Sequence, residues 1–357
     1  MATANFGKAA RLADVAKAAG VSQGTVSNVF NRPEIVSEEV RERVREAAKA
    51  LGYSGPDPKG RLLRAGRFNA IGVATVEPLS FFFEDPFARL LMTGITEASE
   101  ASGTGVSLVS AASEEELAWN VRSALVDGFI LFCLEGAQAL ITSSRERQLP
   151  FVALALGHDD PTVSAVGIDN VGGARAVARH LCELGHRRFA IIGMRLSRRG
   201  AGRVSLERVK ATTYSASRDR VQGYLEALQE FGIATEEVPI YETQSDVATI
   251  HAALAEIFEA ATPPTAILAQ SDRIALVVLD WLQQRGLSVP GDVSVTGFDG
   301  VPESATSVPP LTTVVQPIVE IGRRATQAIL QDDGSIRRQT LEVELAVRGS
   351  TAPPRRP

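Results

Sequence analysis

Between residues 68 and 350, short apolar runs alternate with longer amphipathic stretches, and this alternation narrows the possible folds more than any other feature of the chain. The runs lie at 70–76, 105–110, 128–133, 151–156, 188–193, 238–242, 265–269 and 293–298. Most are apolar nearly throughout, as strands covered on both faces must be. The stretches at 87–102, 114–126, 171–184, 218–231, 247–260 and 271–285 space their apolar residues by three and four, the period of a helix with one buried face. Strand and helix in alternation give parallel sheets with helices on both sides. Eight strands, with a further extended passage at 165–170, are many for one compact unit, so two doubly wound subdomains are expected. Ligands of such sheets bind beyond the carboxyl ends of the strands.

The first 52 residues follow another rule. Leu12, Val15, Ala16 and Ala19 share one helical face, Gly20 permits a sharp turn, and Ser22 stands where a hydroxyl caps a helix running to Asn31. That second helix turns Val26, Val29 and Phe30 inward and leaves Gln23, Gly24, Thr25, Ser27 and Asn28 on or near the open face. Amides pair with base edges, hydroxyls reach phosphate oxygens, and a glycine lets the backbone approach closely. A third helix begins after Ser37, with Glu38 and Glu39 in its first turn, and has a structural role. Spacing alone leaves DNA binding and plain three-helix packing equally open. Charge tilts the balance toward DNA: residues 1–67 hold 12 Lys+Arg against 7 Asp+Glu, a net +5 within a chain of net −5. A basic head on an acidic body suits a polyanionic partner at one end.

In order along the chain, Asp14-Val15-Ala16, Ala19-Gly20-Val21-Ser22, Thr25-Val26-Ser27, Val36-Ser37 and Leu51-Gly52-Tyr53 closely resemble the headpiece of the LacI/GalR family of bacterial repressors. The likeness continues into 55–66, where Asp57, Pro58 and Gly66 punctuate a short helix that is marginal alone in water. The resemblance implies a helix-turn-helix headpiece over 1–53 with Ser22, Gln23, Gly24, Thr25, Ser27, Asn28, Asn31 and Tyr53 at DNA. It also implies a hinge over 54–67, whose Leu62 or Leu63 wedges into the minor groove as a pair across a dimer. Gly24 and Asn28 depart from the family pattern. Asn28 stands where many members carry an arginine, so the implied operator half-site differs from the common one.

For residues 68–350 the resemblance implies a periplasmic-binding-protein type I body of two Rossmann-like parallel-sheet subdomains. One comprises 68–167 plus 317–331, the other 168–315 plus 341–347, with an effector cleft between them and a disordered tail at 351–357. Arg220 matches the family's ligand-gripping arginine and Asp299 its hydroxyl-accepting aspartate. Ser271 stands where an asparagine is common, Gln316 lies near a crossing, and Ala155 replaces an aspartate that sugar binders often carry. Phe82 and Phe83, in the phenylalanine-rich loop 79–87, either stack on a sugar or close a core or dimer seam. The basic stretch 195–217, with Arg195, Arg198, Arg199, Arg203, Arg208 and Lys210, has the length of a mobile loop or lid.

The expected function is a transcriptional regulator, a repressor, that binds a pseudo-palindromic double-stranded DNA operator as a homodimer and answers to a small-molecule effector, a sugar or related metabolite. A solute-binding protein with the same body is the alternative; the basic headpiece and the missing signal sequence count against it. The chain carries no phosphate-loop, dinucleotide or His-Glu-x-x-His motif. His158, His180, His186 and His251 are scattered without metal spacing, so neither enzyme, cofactor nor metal is expected. No apolar run approaches the roughly 20 residues of a spanning helix, and Cys133 and Cys182 read as reduced core residues of a cytoplasmic chain.

Overall fold

The computed structural model describes residues 10–55, 67–110, 113–132, 141–142, 145–154, 160–197 and 200–355. Leu62, Leu63, Cys133, Ala155 and His158, with Arg198 and Arg199, lie outside the described residues. The chain divides into two units, residues 1–68 and 69–357.

The first unit packs α1 (Leu12–Ala19), α2 (Gln23–Asn31) and α3 (Glu38–Ala50) around Val15, Ala16, Ala19, Val26, Val29, Val44 and Ala48. Gly20 ends α1 at φ +66°, in the left-handed region that glycine adopts at no steric cost. Ser22 Oγ then accepts from Thr25 N at 3.0 Å and starts α2. Phe30 meets Tyr53 edge-on, ring centroids 5.8 Å apart, so the residue after the third helix closes the core.

The second unit contains two sheets. The first runs in the order β12-β5-β4-β3-β1-β2 and is parallel throughout: β1 (Ala70–Thr75), β2 (Gly105–Ser110), β3 (Gly128–Phe132), β4 (Phe151–Leu154), β5 (Ala165–Ile168) and β12 (Arg338–Leu341). The second runs β13-β11-β10-β9-β6-β8-β7, from β6 (Phe189–Gly193), β7 (Gly202–Val204), β8 (Ile240–Glu242), β9 (Ala266–Ala269), β10 (Ser294–Asp299), β11 (Thr312–Val315) and β13 (Glu344–Ala346). Only its two edge strands, β7 and β13, are antiparallel.

The helices that cover these sheets are α4 (Phe81–Glu84), α5 (Pro86–Ala101), α6 (Glu114–Ser123), α7 (Asn170–Glu183), α8 (Leu206–Lys210), α9 (Ser215–Glu230), α10 (Val247–Glu259), α11 (Asp272–Gln284), α12 (Pro302–Thr306) and α13 (Ile318–Leu330). α13 returns from the second sheet to pack on α5 of the first. Glycine makes that crossing close: a methyl added at Gly94 would overlap the Val319 carbonyl, and one at Gly322 would overlap that of Leu91. The chain passes between the sheets three times, after β5, after β11 and between β12 and β13.

Three expectations change. The single final strand expected at 341–347 is two strands, because residues 338–341 extend the first sheet beside β5 before 344–346 join the second. The described residues of the basic stretch 195–217 are not a free loop; they supply β7 and α8, and buried Glu242 accepts from Leu196 N and Ser197 N at 2.8 Å and pairs with Arg208. Residues 351–355 of the expected disordered tail are pinned. Buried His186 and Ser294 exchange hydrogen bonds with the backbone of Ala352, and Thr351 meets His180.

Candidate functional site

Both sheets wind outward from their second-formed neighbours: the order β2-β1-β3-β4-β5 in the first repeats as β8-β6-β9-β10-β11 in the second. The switch points therefore lie between β1 and β3 and between β6 and β9, and a crevice opens at the carboxyl ends of strands there. A cavity of about 350 Å³ occupies this place, within the size range of small-molecule sites, roughly 300–1,000 Å³. Glu77 beyond β1 and Phe132 at the end of β3 line it from one side. Arg195 beyond β6 and Ser271 beyond β9 line it from the other, with Arg220, Asp299 and Arg273. A smaller recess of about 40 Å³ shares Phe87, Phe132, Ala216 and Arg220 and reaches Asn170 and Gln316 at two of the crossings.

Arg220 is the best-anchored side chain in this region. It is 5% exposed, its guanidinium carbon lies 3.7 Å over the Phe298 ring, and it donates to Asn170 Oδ1 at 2.9 Å, to the Gln270 carbonyl and to Asp299 Oδ1 at 3.3 Å. Asp299 also accepts from Gln316 Nε2 at 2.7 Å, and its backbone stands at φ +127°, a strained conformation for any residue with a Cβ. Burial pushes the Asp299 carboxyl well above the usual carboxylate range while the Arg220 charge pulls it down. Asp272 holds the loop behind it, accepting from Gly300 N at 2.7 Å, Val301 N at 2.9 Å and Thr313 Oγ1. Gln270, fully buried, ties Met194 N and the Ser217 carbonyl together behind Arg220.

Of the residues expected at the effector, Arg220, Ser271 and Asp299 line the cavity and Gln316 the recess. Ser271 also caps α11, accepting from Ile274 N at 3.2 Å. Phe82 and Phe83 are placed elsewhere: one helical turn after Pro78 sends Phe82 into the core of the first sheet and leaves Phe83 69% exposed. The aromatic wall consists instead of Phe81, Phe87 and Phe132, the first two stacked on the third with centroids 5.9 Å apart. Sequence reasoning missed Asn170, Gln270, Glu77, Asp85 and Arg273. The available signal was a polar residue just beyond an apolar run, as at Glu77 and Gln270.

In the first unit, Gln23, Gly24 and Asn31 are exposed, and Thr25, Ser27 and Asn28 are half-buried along one side of α2. Ser22 and Thr25 bond each other through their hydroxyls at 2.9 Å, and Asn31 Nδ2 donates to Ser27 Oγ at 3.1 Å. Tyr53 packs half-buried against the three-helix core. The face is polar, carries no acid, and rides on a helix whose other side is locked by Val26 and Val29.

A compact three-helix reader joined to a two-sheet body with a ligand-sized cavity at paired switch points defines a DNA-binding transcriptional regulator under effector control. The family model described as "Bacterial regulatory proteins, lacI family" matches residues 11–55, and that described as "Periplasmic binding protein-like domain" matches 178–351. An HTH-type transcriptional regulator of Mycobacterium tuberculosis is 38% identical over 97% of both chains. Among solved structures, the complex of the transcriptional regulator CelR with cellobiose is 30% identical over 96% of this chain and 99% of that one, with a TM-score of 0.69. The lac repressor dimer bound to operator and the anti-inducer ONPF is 26% identical over 97% and 100%, with a TM-score of 0.75. The chain belongs to the LacI family of bacterial transcriptional regulators and is not an enzyme. Among the described residues no helix is long and apolar enough to cross a membrane.

Proposed function

We propose that the protein is a repressor that binds a two-fold operator as a homodimer and that its effector is an uncharged sugar or polyol held in the cavity of the body. One observation carries the ligand class. Each cationic side chain among the described residues lining the cavity is already matched by a carboxylate: Arg195 by Glu77, Arg220 by Asp299 and Arg273 by Asp85. Among the described residues lining the cavity no guanidinium is left over to neutralise a phosphate or carboxylate, whereas Asp299, Ser271 and Ser217 offer hydroxyl partners beside an aromatic wall suited to the apolar face of a sugar ring. The cellobiose in the related CelR complex and the operator in the related lac repressor dimer support the reading.

In the headpiece, Gln23 and Asn28 are assigned to base edges and Ser22, Thr25, Ser27 and Asn31 to phosphates, with Gly24 allowing close approach. Tyr53, Leu62 and Leu63 keep their assignment to the DNA side of the hinge. The effector acts by linkage: it shifts the population only as far as it binds the DNA-incompetent state more tightly. The reading carries with it a cytoplasmic location.

Thermal unfolding of the full-length protein against neutral sugars and polyols, each beside its phosphorylated or acidic counterpart, tests the ligand class. A ligand at 100 times its Kd stabilises by about 2.7 kcal/mol, a Tm shift of a few degrees. A hit confined to neutral compounds is expected; a hit confined to acidic ones overturns the assignment.

A further inference from the structure

Two ion pairs join the halves of the body across the cavity itself. Glu77, beyond β1, takes Arg195, beyond β6, with both oxygens, at 3.0 and 3.1 Å. Asp85, which caps α5, accepts from Arg273 in the first turn of α11 at 3.1 Å. Arg89 of α5 also pairs with Glu303 of α12 from half to half, outside the cavity lining and with the charges the other way round.

The signs are segregated. Glu77, Glu84 and Asp85 stand on the wall from the first sheet; Arg195 and Arg273 stand on the wall from the second, where Asp299 is already taken up by Arg220. Apart, each wall gathers like charges; together, Glu77 and Asp85 each meet a base. The Glu77 and Asp85 side chains are 9% and 11% exposed, so their pairs lie in a lower dielectric than surface pairs, which contribute only about 0.2–1 kcal/mol.

We propose that Glu77–Arg195 and Asp85–Arg273 form an ionic clasp that holds the cleft of the body shut by itself, so that ligand entry begins with its release. The consequence for effector entry rests on the cavity being the effector site, as proposed above; the clasp itself is tested without any sugar.

A reporter thiol at Ala216, which lines both cavity and recess, reads the opening. In full-length Ala216→Cys protein carrying Cys133→Ser, the remaining Cys182 is buried and its thiol is pushed up to about 11, so it reacts slowly. Maleimide labelling of Cys at 216 is expected to be slow at low salt and to accelerate near 1 M salt, where the screening length falls to roughly 3 Å. Glu77→Gln/Asp85→Asn should label about tenfold faster at low salt, the factor that goes with roughly 1.4 kcal/mol of lost closure, and should lose the salt dependence. The exchange Glu77→Arg/Arg195→Glu should return labelling toward the slow rate, which a misfolded variant would not do. Equal, salt-independent labelling of the parent and the Glu77→Gln/Asp85→Asn protein overturns the clasp. A clasp seen this way with no thermal shift from any neutral sugar would retire the ligand assignment alone.

Discussion

Arg220 and Asp299 meet 3.3 Å apart, each almost wholly buried, and between them they touch two of the three passages between the sheets: Arg220 through Asn170 after β5, Asp299 through Gln316 after β11. The pair thus links the cavity to the segments that must bend if the halves move. A ligand whose hydroxyl donates to Asp299 would act on both at once.

Breaking this pair from one side strands a buried charge. Arg220→Ala should cost about 3–5 kcal/mol, while Arg220→Ala/Asp299→Ala should cost well below the sum of the two single changes. Urea unfolding of the four proteins measures the coupling; additivity would mean the two side chains do not stabilise each other.

The α5–α13 crossing gives a second expectation. Gly94→Ala or Gly322→Ala places a methyl against backbone that cannot yield without moving a helix, an overpacking cost of about 1–3 kcal/mol or more. A Gly286→Ala control meets no neighbouring atom within 4 Å but sits at φ +71°, so it isolates backbone strain from steric overlap. Thermal melts rank the three; a Gly94→Ala protein as stable as the parent would contradict the packing.

Burial draws the His186 pKa below its usual 6.5. The unfolded chain takes up a proton as pH falls through that value and the folded protein resists, so stability is full above pH 6.5 and declines as pH drops from 6.5 toward the lower folded pKa. His180, also lowered by burial, adds a slope of the same sign. His186→Gln should lower stability at pH 8 by about 1–3 kcal/mol through its lost partners Thr265, Ser294 and Ala352, and flatten the acid slope without abolishing it. Chemical denaturation across pH 5–8 reads both effects.

On α2, a Cβ at Gly24 would meet only Ser22 Oγ, at an ordinary 3.6 Å. Gly24→Ala should therefore stabilise the helix by about 1 kcal/mol. Gln23→Ala should cost about 1–3 kcal/mol at particular base pairs. Binding to a set of single-base operator variants distinguishes base contact from phosphate contact, for which the loss would be uniform.

Much of this fold was legible. β3 and β6 are apolar runs with both faces buried, and α2 announced itself through Gly20, the Ser22 cap and an amphipathic period. β7, β11, β12 and β13 were harder, because three- and four-residue strands near a sheet edge carry polar residues such as Arg203, Arg338 and Glu344 and owe their form to the partner strand. At the site, Arg220 and Asp299 were visible through their motifs. Phe82 stayed open between sugar and core because a run of phenylalanines does not say which ring a single helical turn sends inward, and it lies in the core. The cross-cavity pairs were invisible in principle, since Glu77 and Arg195 are brought together only by packing two sheets.

The interleaved sheets also govern how the body can be made. A ribosome that has delivered residues as far as α13 has completed neither half: β5 still lacks β12 along one side, and β11 lacks β13. Both open margins are sealed within the same few residues, 338–346, so the last stretch of body synthesis converts two unfinished sheets into a finished protein together, and a nascent chain stalled before it would expose two strand edges to its neighbours at once.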